Sequence, residues 1–315
     1  MKDTKNNNSI EQFKELVIEK LNKVPEFNSK VETQIIRKNN GLKLEGIFIK
    51  QSGKLVSPTF YIEDLYDEYC NGADIDCIVN KVIDGFETRN IPADEICKFM
   101  SDFMLVKEKV VFKIINFDDN HDLLKEVPYR KVLDLAVVYY CRIDYPEIGR
   151  GTITIKNENI EMWNVSEEDL YEAAFENANK YLPCSIMPMH AVLGQYVEDN
   201  FTEELKEQEK QFVEKINSDV NLYVMTNNEK SFGAATMFYE NVLENFAMQL
   251  HKNLYILPSS IHEVLLLPVE DKDNHKTMQL QEMVFEVNNT QVMLEERLSY
   301  NVYFYNLENK KIELL

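Results

Sequence analysis

The chain has 315 residues, of which 44% are hydrophobic and 28% charged, so it can bury a substantial core. Its 54 acidic and 34 basic residues leave a formal net charge of −20, which disfavours direct binding to nucleic acid or to an anionic membrane. The amino-terminal residues lack the apolar stretch of a signal peptide, and no apolar run is long enough to span a bilayer. We therefore expect a folded cytoplasmic protein.

The first hundred residues predict a helix, a β-hairpin and an acidic helical region. Ser9 and Gln12 fit a capping box before an amphipathic helix that ends near Pro25. The sequence NNG at residues 39–41 separates two strand-like runs, and Asn-Gly in that position is a strong hairpin signal. Three short helices are predicted between residues 63 and 102, with 11 acidic and 3 basic residues. Acidic residues open these helices, where they suit the positive end of the helix dipole.

Strands and helices follow one another through the next hundred residues without a regular β-α-β order. KVVFKII, DLAVVYYCRID and GTITI have the β-branched and aromatic content of strands. A helix capped by Ser166, with Asp169 at its third position, ends at Pro183. The charged segment from Glu198 to Lys215 predicts a solvent-facing helix or a connector.

The last third repeats the order strand, strand, helix. NLYVMT and FGAATMF are predicted strands, ENVLENFAMQLHK is a predicted helix, and strands NLYILP and EVLLLPV, a helix near residues 276–287 and a closing hairpin follow. One interpretation is a pair of related strand-strand-helix units, roughly 45 residues each, in the carboxyl-terminal two-thirds. The whole pattern predicts an α+β fold with mainly antiparallel sheets and packed helices. We expect an amino-terminal domain of residues 1–105 and an α+β region of residues 106–315, or one continuous domain.

The sequence predicts neither a cofactor nor a metal site. It contains no glycine-rich phosphate loop, and its five histidines occur singly. His262-Glu263 begins like the HExxH zinc motif, but Leu266 stands where the second histidine is required. The cysteines have mostly apolar neighbours and no CxxC spacing, so we expect reduced, buried thiols; they are Cys70, Cys77, Cys97, Cys141 and Cys184.

Candidate catalytic side chains lie in the segment YILPSSIHEV, residues 255–264. Hydroxyl nucleophiles, a base and carboxylate or amide partners are all represented; the candidates are Ser259, Ser260, His262, Glu263 and, from the neighbouring unit, Asn227. On a strand, His262 and Glu263 would point to opposite faces, whereas in a helical turn Ser260 and Glu263 would form a capping box. A structural joint between two strands is the alternative to catalysis. Cys184 and His190 are a second nucleophile–base pair, for which a packed cysteine and a surface histidine are the alternative.

Four blocks of the sequence carry a family resemblance. They include NNGLKLEGIFIKQSGKLVSPTFYIEDLYDEYCNG, NVSEEDLYEAAFENA, LYVMTNNEKSFGAATMFY and LYILPSSIHEVLLLP, and they extend over most of the chain from about Phe13. The blocks resemble a bacterial family known as domain of unknown function 5688. The resemblance implies a soluble bacterial cytosolic protein linked with mobile or accessory genes. It assigns no role to the matching positions, which are Thr226, Asn227, Gly233, Ala234, Ser259, Ser260, His262 and Glu263.

Two classes of function are compatible with these features. The first is a non-enzymatic interaction or regulatory protein whose acidic face meets a basic protein partner. A nucleic-acid-binding protein whose basic groove it occupies, in a mobile-element context, is the sharper form of this hypothesis. The alternative is a hydrolase or transferase that uses the region of Ser259, Ser260, His262 and Glu263.

Overall fold

The computed structural model describes residues 9–25, 27, 30–49, 59–88, 93–145, 149–200 and 221–315. These residues form an α+β fold with antiparallel sheets and packed helices, as the sequence predicted. Most of the predicted helix or connector from Glu198 to Lys215 lies outside the described residues. The chain divides into two compact units, Met1–Val106 with Arg142–Ile153, and Lys107–Cys141 with Thr154–Leu315.

The first unit combines a three-stranded sheet with helices. Its elements are α1 (Ile10–Asn22), β1 (Val31–Arg37), β2 (Lys43–Ile49), β3 (Phe60–Tyr61), α2 (Ile62–Cys70), α3 (Ile75–Thr88), α4 (Ala93–Met100) and α5 (Phe103–Val106). The predicted capping box is confirmed, because the Ser9 hydroxyl accepts from the Gln12 N–H and the Gln12 side chain accepts from the Ser9 N–H. Asn40 adopts a left-handed φ of 56° in the turn that lets β1 and β2 pair as an antiparallel hairpin.

The second unit contains the longer strands. Its elements begin with β4 (Val110–Asn116), α6 (His121–Leu124), β5 (Tyr129–Val132), β6 (Leu135–Tyr145), β7 (Gly149–Thr154), α7 (Asn157–Trp163) and α8 (Glu167–Tyr181). They continue with β8 (Cys184–Pro188), α9 (Met189–Asn200), β9 (Tyr223–Asn227), α10 (Val242–Leu250), β10 (Asn253–Pro258), β11 (Val264–Val269), α11 (Asn274–Thr290), β12 (Tyr303–Asn306) and β13 (Lys311–Leu314). Of these elements, β7 and the end of β6 are part of the first unit. Ser166 caps α8 as predicted.

Two sheets organise these strands. An antiparallel six-stranded sheet has the order β13-β12-β10-β11-β9-β8, and a second sheet has the order β4-β6-β5 with β7 paired to β6. Residues 142–153, at the end of β6 and in β7, group with the first unit. Helix α11 covers one face of the six-stranded sheet, where Val284 packs in a cluster with Tyr255, Leu257 and Phe304.

One predicted strand of the second unit is a different element. FGAATMF was predicted to be extended, but Gly233–Phe238 forms a 3-10 helix. Its small residues Gly233, Ala234 and Ala235 are buried, so the backbone of this segment packs closely against β9 instead of continuing a ladder. The carboxyl-terminal member of the two proposed strand-strand-helix units therefore lacks its second strand.

The prediction that the cysteines are buried is wrong for three of them. Cys70, Cys77 and Cys97 are exposed thiols on α2, α3 and α4, whereas Cys141 is buried and Cys184 half-buried. Apolar neighbours in sequence do not imply burial in an amphipathic helix, because adjacent residues point to different faces.

A polar network joins the β5–β6 turn to the start of β12. The Asp134 carboxylate accepts hydrogen bonds from the Ser299 hydroxyl at 2.6 Å, the Asn301 amide at 2.9 Å and the Tyr303 hydroxyl at 2.8 Å. Tyr303 is fully buried, and burial together with the Asp134 charge raises the pKa of its hydroxyl well above the ordinary value. The hydroxyl therefore remains a proton donor, and the network fixes β12 against the β5–β6 hairpin within this unit.

We predict that Asp134→Ala lowers the free energy of unfolding by about 3 kcal/mol, because it leaves the buried Tyr303 hydroxyl without its acceptor. Urea unfolding measures this difference. Asp271→Ala is the matched control, because Asp271 is exposed, and its effect is expected to stay within about 0.5 kcal/mol. Equal effects of the two substitutions would contradict the assignment of the network.

Candidate functional site

The segment Ser259–Glu263 is a tight connection between two paired strands. Pro258 at the end of β10 pairs with Val264 at the start of β11, and the five intervening residues form the loop. The Ser259 hydroxyl donates to the Glu263 carbonyl at 2.9 Å, and the Ser260 hydroxyl accepts from the His262 N–H at 3.0 Å. Both serine hydroxyls therefore hold the backbone of their own loop.

This geometry corrects both local expectations for the loop. No helical turn forms, so Ser260 and Glu263 do not make a capping box, and the strand begins only at Val264. The reason is the register of the hairpin, because the pairing of Pro258 with Val264 leaves too few residues for a helix. What Ser260 and Glu263 share is a backbone contact: the Ser260 N–H donates to the Glu263 carbonyl at 3.3 Å.

The His262 side chain is held by contacts on several sides. Its Nδ1 accepts a hydrogen bond from the Phe232 N–H at 3.2 Å, and its ring stacks on the Phe232 ring with centroids 5.6 Å apart. Its Nε2 lies 3.6 Å from Oε1 of Glu296. Because Nδ1 acts as the acceptor, the proton of the neutral imidazole resides on Nε2 and faces the Glu296 carboxylate.

The β9 region, which contains several of the positions that carry the family resemblance, lies against this loop. The Thr226 hydroxyl donates to the His262 carbonyl at 2.8 Å. Asn227 closes the turn that follows β9, because its side chain donates to the Ser231 carbonyl and accepts from the N–H groups of Glu229 and Ser231. The Ala234 N–H donates to the Ile261 carbonyl at 3.3 Å. These hydrogen bonds join the segment from Thr226 to Ala234 to the backbone of Ile261 and His262.

Gly233 lies at the closest approach between the two segments. A Cβ added at this position would lie 2.1 Å from the Thr226 hydroxyl oxygen. It would also lie 2.6 Å from both the backbone nitrogen of Asn227 and the carbonyl oxygen of His262. Two residues just before it, Lys230 and Phe232, adopt left-handed φ angles of 53° and 54°. Such conformations cost about 1 kcal/mol or more each, and here the Asn227 and His262 hydrogen bonds stabilise them.

The candidate catalytic groups do not form a nucleophile–base pair in this arrangement. Each serine hydroxyl is hydrogen-bonded to the loop backbone, and each imidazole nitrogen of His262 faces a group other than serine. Burial raises the pKa of the Glu263 carboxyl, against the opposing effects of His262 and Lys230. Within these described side chains, the geometry of a serine activated by histidine is therefore not assembled.

The second candidate pair has a thiol with a raised pKa. Cys184 lies on β8 opposite Asn227, and His190 lies in the first turn of α9. Burial raises the pKa of the Cys184 thiol to about 11, so at neutral pH it is almost entirely un-ionised. An activated cysteine nucleophile requires the opposite shift.

Neither a metal site nor a membrane-spanning helix occurs in the described part of the chain. It contains no cluster of three or more His, Cys, Asp or Glu side chains with the geometry of a metal site. Across the same residues, every helix is too short or too polar to cross a bilayer.

An exposed apolar surface next to the Ser259–Glu263 loop was not predicted from the sequence. A cavity of about 50 Å³ opens between α11 and the β10–β11 hairpin, and its lining is apolar apart from Ser259; the lining residues are Leu257, Pro258, Ser259, Leu265, Met283, Val284 and Val287. Met283 and Val287 are also exposed to solvent. The 3-10 helix Leu294–Glu296 lies against the same loop, because the Ile261 N–H donates to the Glu296 carbonyl at 2.8 Å.

We refer to Met283, Val287, Met293 and Leu294, together with this cavity, as the methionine surface. All four side chains are exposed. Glu282 and Glu286 are exposed on α11 beside it, and Glu296 is at the 3-10 helix. The signal in the sequence was the helical spacing of Leu280, Met283, Val284 and Val287, of which only Val284 is buried and Leu280 half-buried.

We predict that Gly233→Ala destabilises the protein by about 2 to 3 kcal/mol, because the added methyl group must displace backbone atoms of the interlocked segments. Thermal or urea unfolding measures the change. Gly194→Ala is the matched control: it lies in α9 with no atom within 4 Å of an added Cβ. Because alanine favours helix, that variant should gain about 0.5 to 1 kcal/mol. A Gly233→Ala protein as stable as the native chain would contradict the close approach.

We predict that Glu263→Gln stabilises the protein at pH 7. The folded-state pKa of this carboxyl is raised by burial, so its ionisation opposes folding as the pH rises above the ordinary glutamate range. The gain should disappear below about pH 4, where both folded and unfolded carboxyls are protonated. Urea unfolding at the two pH values measures it, with exposed Glu308→Gln as the control. A gain that is equal at both pH values would exclude burial of the charge as its cause.

Comparison with known proteins identifies a family but no individual relative. No curated protein and no solved structure matched the chain. The match is to a family of unknown function, DUF5688, over residues 10–307. Because this range covers nearly the whole sequence, the chain belongs to the DUF5688 family.

Proposed function

We propose that this protein is a non-enzymatic interaction or regulatory protein that binds a basic protein partner. The observation that carries the proposal is the methionine surface, whose four apolar side chains are exposed and whose cavity lies beside the helix that bears Glu282 and Glu286. Exposed apolar patches bordered by polar groups are typical of protein interaction sites. The net charge of −20 favours a partner of the opposite sign, both in its encounter rate and in its selectivity.

The arrangement of the Ser259–Glu263 loop supports this proposal over the hydrolase or transferase alternative. The polar side chains that would perform catalysis already have partners in the loop and in the segment after β9. A general base needs its lone pair directed at the nucleophile. The Nδ1 lone pair of His262 is instead directed at a backbone N–H.

We also propose that the protein works in the cytoplasm of a bacterium. Its five cysteines are free thiols and three of them are exposed, which suits the reducing cytoplasm of a bacterium. A nucleic-acid-binding protein is a natural class of partner, because such proteins present the basic surfaces that an acidic protein can occupy. A link with mobile elements would supply partners of this class.

Salt-dependent binding of a purified partner tests the proposed function. The immobilised full-length protein is exposed to the cytoplasmic proteins of its host at about 50 mM salt, and retained proteins are eluted at about 500 mM. Each candidate is then purified, and its dissociation constant is measured by calorimetry at both salt concentrations. We expect a partner with a basic face whose affinity falls at least tenfold at the higher salt. Finding no specific partner at low salt, or one that salt does not affect, would contradict the proposal.

A substrate panel addresses the alternative function. Ester, peptide and phosphoester substrates are incubated with the native protein and with His262→Ala. We expect no turnover by either protein. Turnover by the native protein that His262→Ala abolishes, while its unfolding curve is retained, would replace the binding function with an enzymatic one.

A further inference from the structure

We propose that the methionine surface binds an amphipathic basic helix of the partner, with one apolar side chain of that helix inserted into the cavity between α11 and the β10–β11 hairpin. This inference rests on the proposed function and specifies the place and the chemistry of the contact. The partner segment presents Leu, Met or Phe side chains on one face and Lys or Arg side chains on its flanks.

The cavity is suited to a single apolar anchor. Its volume is about 50 Å³, and its walls are the side chains of two β-strands and one helix. Interfaces derive much of their affinity from a few side chains that fill such pockets and exclude water. Met283 and Val287 form the exposed lip of the cavity, so a helix lying across them would bury them together with its own anchor residue.

The side chains around the cavity favour a helical and adaptable partner. Methionine is unbranched and polarizable, and it adjusts to partner side chains of different shape. Apolar surfaces that bind an amphipathic helix contact side chains spaced three or four positions apart on that helix. Met283 and Val287 are spaced by four residues on α11, and Met293 and Leu294 continue the exposed apolar side chains beyond it.

The charges near the methionine surface favour a basic binding partner. Residues 278–296 contain four glutamates and no lysine, arginine or histidine. The nearest arginine in sequence, Arg297, donates to the Asn289 side chain, the Tyr300 hydroxyl and the Val292 carbonyl. A basic helix would therefore place its cations beside carboxylates without meeting an opposing cation from this stretch.

Charge also disfavours other occupants of the methionine surface. A second copy of this chain also has a net charge of −20, and an anionic membrane carries the same sign. Residues 201–220 of the chain itself contain six acidic and three basic residues, so they do not complement the glutamates. Of these occupants, only a basic segment from another protein gains from both the apolar and the charged features.

Binding of designed peptides to the full-length protein tests the inference. The first probe is a Leu/Lys peptide whose pattern places leucine on one helical face. The second has the same composition in an order without that face, and the third replaces lysine by glutamate. Fluorescence anisotropy at about 50 mM salt should show binding of the first peptide, at least tenfold weaker binding of the second, and none of the third.

Matched variants locate the binding surface. Glu282→Gln/Glu286→Gln and Met283→Gln should each weaken binding of the first peptide about tenfold, because they remove the flanking charges or the lip of the cavity. Glu172→Gln/Glu176→Gln on α8 makes the same charge change at the same spacing, and Met162→Gln on α7 replaces another exposed methionine. Both controls should bind within about twofold of the native protein. Circular dichroism confirms that each variant is folded.

The outcomes separate this inference from the function on which it rests. If the Leu/Lys peptide binds but the two test variants bind it as well as the controls do, the methionine surface is the wrong place and the basic-partner function stands. If no basic peptide or protein binds at low salt, the proposed function itself fails. Self-association that Met283→Gln abolishes would assign the surface to a second copy, and binding to anionic vesicles that Met283→Gln abolishes would assign it to a membrane; either result overturns the inference.

Discussion

The backbone of Gly233 lies so close to Thr226, Asn227 and His262 that no side chain fits between them. This close approach is the constraint on which the local structure depends, because it places the turn after β9 directly against the β10–β11 loop. The left-handed Phe232 then brings its N–H to Nδ1 of His262. The loop in turn holds the 3-10 helix Leu294–Glu296 through the Ile261 N–H.

The polar residues of the Ser259–Glu263 loop are explained by this arrangement without a reaction. A tight connection between buried strands leaves backbone donors and acceptors that need partners. Ser259, Ser260 and Thr226 supply three of these partners. The loop positions both sides of the methionine surface, because Pro258 and Ser259 line its cavity and Ile261 is hydrogen-bonded to Glu296. Under the proposed function, the loop would serve partner binding by holding the methionine surface in place.

Features with a local cause could be predicted from the sequence. The helix caps at Ser9 and Ser166 and the hairpin at Asn40 each depend on residues within a few positions of one another. The loop at Ser259 could not be predicted, because its conformation depends on the pairing of Pro258 with Val264 and on contacts with residues about 30 positions away in both directions. Helix α11 was predicted, but which of its apolar side chains remain exposed depends on the sheet beneath it.

Hydrogen–deuterium exchange of the full-length protein, with and without the amphipathic Leu/Lys peptide, shows whether the peptide binds at the methionine surface. We predict slower exchange in residues 278–297 and 257–263 when the peptide is bound, because the peptide covers α11 and the loop that supports it. Exchange should not change in the acidic stretch of residues 63–102, where charge is abundant but the methionine surface is absent. Protection of residues 63–102, or protection spread evenly over the chain, would mean that net charge and not the methionine surface governs binding.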